Sequence, residues 1–114
     1  MADANATAAD ARAAGADAQV FQADLSDEAA CGALVPAVVA HFKRLDAVVN
    51  NASTFEYDNP QTFSYAAMDT HWRANTAPAI VLARALHAHL AGCSEIGCVV
   101  NLLDLPRQCP PEQR

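Results

Sequence analysis

Residues 45–53 read Leu-Asp-Ala-Val-Val-Asn-Asn-Ala-Ser, and this stretch is the most informative in the chain. Its short apolar run, rich in β-branched residues, is typical of a buried parallel strand. The two asparagines that follow would be costly to bury unless they hydrogen-bond the backbone or a ligand. Because α/β sheets bind ligands at the carboxyl ends of their strands, the stretch predicts a strand that ends in a binding loop. The alternative is an Asx-rich turn that only leads the chain out of the strand.

Helical and strand patterns alternate before this strand. A helix is predicted over residues 2–14, which are dominated by alanine and are followed by a glycine. Residues 18–22 alternate like a short strand, and residues 24–28 then offer a helix N-cap. An apolar stripe over residues 34–42 predicts the second helix, although Pro36 should kink it.

The same alternation continues after the strand. A long third helix is predicted over residues 68–90, and Gly92 is placed to end it. Pro78 frees a carbonyl near Ala74, which predicts a local distortion that can point a backbone carbonyl into a site. Residues 97–103 form a third apolar run typical of a buried strand. The chain is therefore predicted to be an α/β protein with a parallel sheet, in which about three strands alternate with three helices.

Composition places the chain among globular domains. Of its 114 residues, 53% are hydrophobic and 18% are charged, so we expect one small domain over residues 1–114. The net charge of -6 and the scattered basic residues argue against nucleic acid or an anionic membrane surface as a partner. No apolar run approaches membrane-spanning length and no secretory signal pattern opens the chain, so the expected compartment is the cytoplasm.

The cysteines and histidines show no pattern of a metal centre. The chain has four cysteines but no Cys-x-x-Cys pair, and we expect reduced thiols. His87 and His89 are two residues apart on a predicted helix and therefore point to different faces. His41 and His71 have no cysteine or carboxylate at ligand spacing. We predict no bound metal.

The order of several motifs resembles that of one enzyme family. Residues 50–53, Asn-Asn-Ala-Ser, resemble the Asn-Asn-Ala-Gly motif of the short-chain dehydrogenases/reductases. Residues 23–27 resemble the acidic end of that family's third strand, and Asn75 resembles its helix asparagine. Residues 99–104 resemble its fifth strand, which runs into the active site. The resemblance extends from about residue 8 to residue 104.

The resemblance implies a nicotinamide cofactor, NADPH in the first instance. Asp24 would accept a hydrogen bond from the exocyclic amine of adenine, and the Leu25 amide would donate one back. Asn50, Asn51 and Ala52 would line the adenosine ribose, and the backbone carbonyl of Asn75 would hold a water of a proton relay. Without the resemblance, Asp24 reads as an aspartate that satisfies the free amides of a helix start, and Asn75 as a solvated helix residue.

Three residues resemble the pteridine reductase branch of the family in particular. Ser53 replaces the glycine of the motif, Phe55 follows two residues later, and Asp104 stands where most members carry serine. The implied substrate is pterin-like: Phe55 would stack on the ring, Ser53 would hydrogen-bond its edge, and Asp104 would relay protons as a second catalytic residue beside Asn75. The plain alternatives are a core phenylalanine and an aspartate that starts a loop.

The resemblance also implies that the fold is incomplete. The family's strand order is 3-2-1-4-5-6-7, and the strands predicted here match the third, fourth and fifth. Neither a glycine-rich phosphate-binding turn nor a Tyr-x-x-x-Lys pair occurs in the sequence. We therefore expect a single partial, Rossmann-like NAD(P)-binding domain over residues 1–114, inactive on its own. The alternative is a truncated, non-catalytic paralogue that acts through contact with another protein, and a homo-oligomer is left open.

Overall fold

The computed structural model of the chain describes residues 2–56 and 59–103. These residues form helices and strands in alternation: α1 (Ala2–Ala13), α2 (Glu28–Phe42), β1 (Ala47–Asn50), α3 (Tyr65–His71), a π-helical turn (Trp72–Thr76), α4 (Ala77–Ala91) and β2 (Cys98–Asn101). The α/β class and the three predicted helical regions are confirmed, and the third region is divided by the π-helical turn.

The sheet is formed by β1 and β2, which run parallel. Their residues pair in register from Ala47 with Cys98 to Asn50 with Asn101. The Cys98 amide donates to the carbonyl of Asp46 at 2.9 Å, and the Leu102 amide donates to the carbonyl of Asn50 at 3.1 Å. Both strands therefore end at the same edge of the sheet, and each ends in an asparagine.

The strand predicted over residues 18–22 is wrong. These residues have no strand conformation, and the sheet of the described chain has the order β1-β2. Phe21 instead packs edge-on against His41 and Phe42 of α2, with ring centroids 6.0 and 6.5 Å apart. A strand exists only where a neighbour supplies the backbone hydrogen bonds. The resemblance implies two other strands between this segment and β1, and neither is among the strands of the described chain.

Helices α2 and α4 pack on each other and on one face of the sheet. The buried centre of this packing consists of Cys31, Val35 and Leu82. Partly buried apolar residues surround it: Leu25, Leu34, Val39, Leu45, Val48, Val81 and Ala85. Val48 faces these helices, whereas the next residue, Val49, is 60% exposed on the other face.

A polar side chain caps the start of α2, and residues with positive φ follow the ends of α1 and α2. Asp27 is the N-cap of α2 and accepts a hydrogen bond from the Ala30 amide at 2.7 Å. α2 runs through Pro36 as one helix and ends where Lys43 takes a left-handed φ of 69°. Gly15, with φ 93°, provides the predicted left-handed stop after α1.

Gly97 is needed where the chain enters β2. A Cβ atom at this position would overlap the Cδ1 atom of Leu90 and lie 3.3 Å from the Cδ2 atom of Leu86. Both leucines are buried on α4. The missing side chain of Gly97 therefore lets α4 approach the start of β2 closely.

Candidate functional site

The asparagines at the ends of the two strands bind each other. The side-chain amide of Asn50 donates to the Oδ1 atom of Asn101 at 2.8 Å. Asn50 is partly buried and Asn101 is exposed, so the bond links two side chains at the edge of the sheet and not in its interior. It also joins the starting points of the two loops that leave the sheet, which begin at Asn51 and Leu102.

Asn75 fixes the loop that follows β1. Its Oδ1 atom accepts a hydrogen bond from the Thr54 amide at 2.7 Å, and its Nδ2 atom donates to the Thr54 carbonyl at 2.8 Å. The predicted site residue is therefore brought to the loop of Ala52 and Ser53. The sequence did not indicate this use of the side chain, because 21 residues separate the two partners.

The helical region around Asn75 is distorted, as the position of Pro78 in the sequence predicted. Trp72–Thr76 form a π-helical turn, in which the Ala77 amide donates to the carbonyl of Trp72, five residues earlier. Pro78 has no N–H to offer the carbonyl of Ala74, four residues before it. Single π-helical turns occur frequently at functional sites. The backbone around Asn75 therefore has carbonyl groups outside the regular α-helical ladder.

Asp24 lies in a tight turn with Ser26. Its Oδ1 atom accepts hydrogen bonds from the Ser26 hydroxyl at 2.6 Å and from the Ser26 amide at 2.9 Å. These two bonds hold the pKa of the Asp24 carboxyl below its ordinary value of 3.8, and the bond from the hydroxyl has the larger effect. The N-cap of α2 is Asp27 and not Asp24, but Asp24 does satisfy a backbone amide, that of Ser26, just before this helix. Asp24 therefore presents an ionised carboxylate at neutral pH.

A cleft of about 440 Å³ brings the two sequence motifs together. Its lining residues are Ala23, Asp24, Leu25, Ser26, Ala52, Ser53, Thr54, Thr70, Arg73 and Ala74. Three of the lining residues are alanines, which leave room for a flat group to approach the backbone. The cleft thus combines a carboxylate with several small side chains.

A second cleft, of about 590 Å³, begins at the same Ala52 and Ser53. It continues along the strand ends and the π-helical turn, and its other lining residues are Asn50, Asn51, Asn75, Thr76, Ala79, Ile80, Asn101, Leu102 and Leu103. The predicted cofactor residues therefore lie along two adjoining clefts.

Two of the predicted residues are not placed in these clefts. Phe55 is 70% exposed and is not among the residues that line either of them. Asp104 lies outside the described residues. The residues that sequence reasoning missed are Ser26, Thr70 and Arg73. Arg73 forms an ion pair with Asp69 one helical turn earlier, at 2.8 Å between Nε and Oδ2.

Within residues 2–56 and 59–103, no group of three or more histidine, cysteine, aspartate or glutamate side chains is arranged to hold a metal ion. No helix in the described part of the chain combines the length and the apolar character needed to cross a membrane.

Comparison with known proteins extends over nearly the whole chain. The short chain dehydrogenase family model matches residues 1–103. A metagenomic short-chain oxidoreductase, solved in complex with NADP, superposes with a TM-score of 0.80 at 28% identity, over 93% of this chain and 48% of that one. A short-chain dehydrogenase/reductase from Serratia marcescens gives a TM-score of 0.77 at 27% identity, over 89% and 40%.

A third structure, an NADH-dependent reductase solved with NAD, gives a TM-score of 0.77 at 24% identity, over 89% of this chain and 44% of that one, and shows the shared fold alone. No curated protein sequence matches the chain. The chain spans about half the length, or less, of the solved proteins that it resembles. Because the family model matches residues 1–103, the chain belongs to the short chain dehydrogenase family of oxidoreductases.

Proposed function

We propose that this chain carries the adenosine-binding part of the cofactor site of an NAD(P)H-dependent reductase. One observation supports the proposal above all: Asp24 and the loop of Ala52 and Ser53, which are far apart in sequence, line the same cleft. The related metagenomic oxidoreductase contains NADP. We propose NADPH as the cofactor, with NADH as the alternative.

In this proposal the carboxylate of Asp24 accepts a hydrogen bond from the exocyclic amine of adenine, and the Leu25 amide donates to the ring. Ala23, Ala52 and Ala74 give the flat base room to enter. Asn51 and Ala52 line the ribose, while Asn50 supports this part of the loop through its bond to Asn101. These residues bind and orient the cofactor and do not react.

The cofactor, when bound, supplies a hydride to a carbonyl or imine of a small substrate. The contribution of this chain is orientation and proton handling: the backbone carbonyl of Asn75 holds a relay water, and Asp104 passes protons toward the substrate. For the substrate we propose a dihydropteridine, with Ser53 and Phe55 at its ring. The pterin proposal depends on Ser53, Phe55 and Asp104, and we propose the cytoplasm as the compartment.

Nucleotide binding by the purified chain tests the proposal. Adenosine monophosphate, NADH and NADPH are titrated into the protein, with circular dichroism of the same sample to check folding. Asp24→Ala should weaken binding about tenfold, because a hydrogen bond to a charged group is lost. Asp17→Ala is the matched control, since it removes an equal charge from an exposed position of the same segment that does not line the cleft. Equal binding by both variants would contradict the proposal.

A further inference from the structure

The carboxylate of Asp24 is held asymmetrically. The two hydrogen bonds from Ser26 end on the same oxygen atom, Oδ1. Asp24 lines the cleft, and its Oδ2 atom accepts no hydrogen bond from another described residue. The side chain is thus fixed in orientation while one of its oxygens is available to a ligand.

We propose that Ser26 is a positioning residue that makes the cleft selective for adenine, because its hydroxyl and amide fix Oδ1 of Asp24 and leave Oδ2 to accept the exocyclic amine. This inference rests on the proposed function, in which Asp24 binds adenine. Ser26 itself acts through Asp24 and does not need to touch the base.

The selectivity follows from the hydrogen-bonding character of the groups. An ionised carboxylate can only accept hydrogen bonds, so its ligand must present a donor. Adenine carries an amino group on C6, which can donate a hydrogen bond to the carboxylate. Hypoxanthine and guanine carry a carbonyl oxygen on C6, which cannot donate one. A site built around a hydrogen bond rejects a ligand that leaves its polar group unpaired. The fixed carboxylate therefore distinguishes adenosine from inosine.

The hydroxyl of Ser26 controls how firmly this acceptor is held. The terminal torsion of an aspartate side chain has broad, shallow minima, so a carboxylate with one bond turns more easily than one with two. The same bonds lower the pKa of Asp24, so the carboxylate stays ionised to a lower pH than an ordinary aspartate. Ser26→Ala leaves the amide bond and removes the hydroxyl bond, whereas Ser26→Thr keeps a hydroxyl at the same position.

The test is a comparison of adenosine with inosine, each titrated into the full chain and followed by the amide signals of its NMR spectrum. The unaltered chain should bind adenosine about tenfold more tightly than inosine. Ser26→Ala should reduce this ratio about threefold through weaker adenosine binding, and Ser26→Thr should restore it. In an Asp24→Ala background the ratio should be near one, and adding Ser26→Ala should not change it further. The spectra report folding of each variant at the same time.

Two other outcomes are distinguishable, and each contradicts a different part of the proposal. If Ser26→Ala keeps the full preference for adenosine, or lowers binding equally with and without Asp24, the positioning role is wrong and the adenosine site stands. If the unaltered, folded chain binds neither nucleoside, the proposed cofactor site is wrong, and the role of Ser26 is wrong with it.

Discussion

Single side chains determine the shape of the candidate site, and several of them act on the backbone rather than on a ligand. Asn75 holds Thr54 by two hydrogen bonds, and Asn50 holds Asn101. Asn75 and Asn50 were both predicted as site residues from the family motif. Their structural partners were not, because a sequence shows which groups need a hydrogen bond but not which distant group supplies it.

Asn75→Ala should free the loop after β1. The change removes both hydrogen bonds to Thr54, and we expect a loss of about 1 kcal/mol of stability and faster hydrogen exchange of the Thr54 amide. Thr76→Ala, in the same region of the helix, is the control because the side chain of Thr76 makes no capping hydrogen bond at the start of α4. Equal exchange rates at Thr54 in the two variants would show that Asn75 does not hold the loop.

Ser26→Ala should raise the pKa of Asp24 toward 3.8 in the absence of any ligand, since the Ser26 hydroxyl is the main cause of the lowered value. A carboxyl group whose pKa is lower in the folded state stabilises the fold above its unfolded pKa, and this contribution is lost as the pH falls through the folded pKa. The variant should therefore lose less stability than the unaltered chain when acidified below the ordinary pKa. The carboxyl carbon signal of Asp24, followed against pH, measures the shift directly. An unchanged midpoint would contradict the hydrogen bond.

At the scale of helices and strands, local patterns predicted most of the structure. The three helical regions, β1, β2 and the distortion before Pro78 all follow from spacing, capping residues and proline chemistry. The strand predicted over residues 18–22 is wrong because strand formation depends on a neighbouring strand, and that neighbour can be distant in sequence. The aromatic contact of Phe21 with α2 is a tertiary contact that alternation cannot indicate.

Gly97→Ala and Gly32→Ala should change stability in opposite directions. At Gly97 an added Cβ meets the buried leucines of α4, so we expect a loss of about 1 kcal/mol. At Gly32, inside α2, an added Cβ meets nothing within 4 Å, and alanine should stabilise the helix by about 1 kcal/mol. Urea denaturation of both variants measures the difference. A stabilising change at Gly97 would show that α4 and β2 are further apart than described.

At the scale of the whole chain, the number of strands is the feature that the sequence predicted least well. The sheet of the described chain has two strands. One face of β1 is exposed at Val49. Parallel sheets are normally covered on both faces. The solved relatives that share this fold are about twice as long as this chain or longer.

The isolated 114-residue chain should not oxidise NADPH. Its sequence contains neither the glycine-rich turn for the cofactor phosphates nor the Tyr-x-x-x-Lys proton donor, and each loss removes several kcal/mol of transition-state stabilisation. The assay follows NADPH absorbance with a dihydropteridine, and Asp104→Ala serves as the background control. Turnover above that background would show that other groups replace the two motifs. Adenosine binding is a separate property and should persist.

The π-helical turn at Trp72–Thr76 also determines where this chain tolerates a change of length. Such a turn holds one residue more than an α-helical turn would, so removing one residue there converts it to regular α-helix and leaves the flanking helices in phase. Removing one residue within α4 instead rotates everything on one side of the deletion by about 100°. Leu82, Leu86 and Leu90 would then no longer all face inward. In a lineage of related sequences, single-residue gaps in this long helix should therefore fall at the turn that carries Asn75.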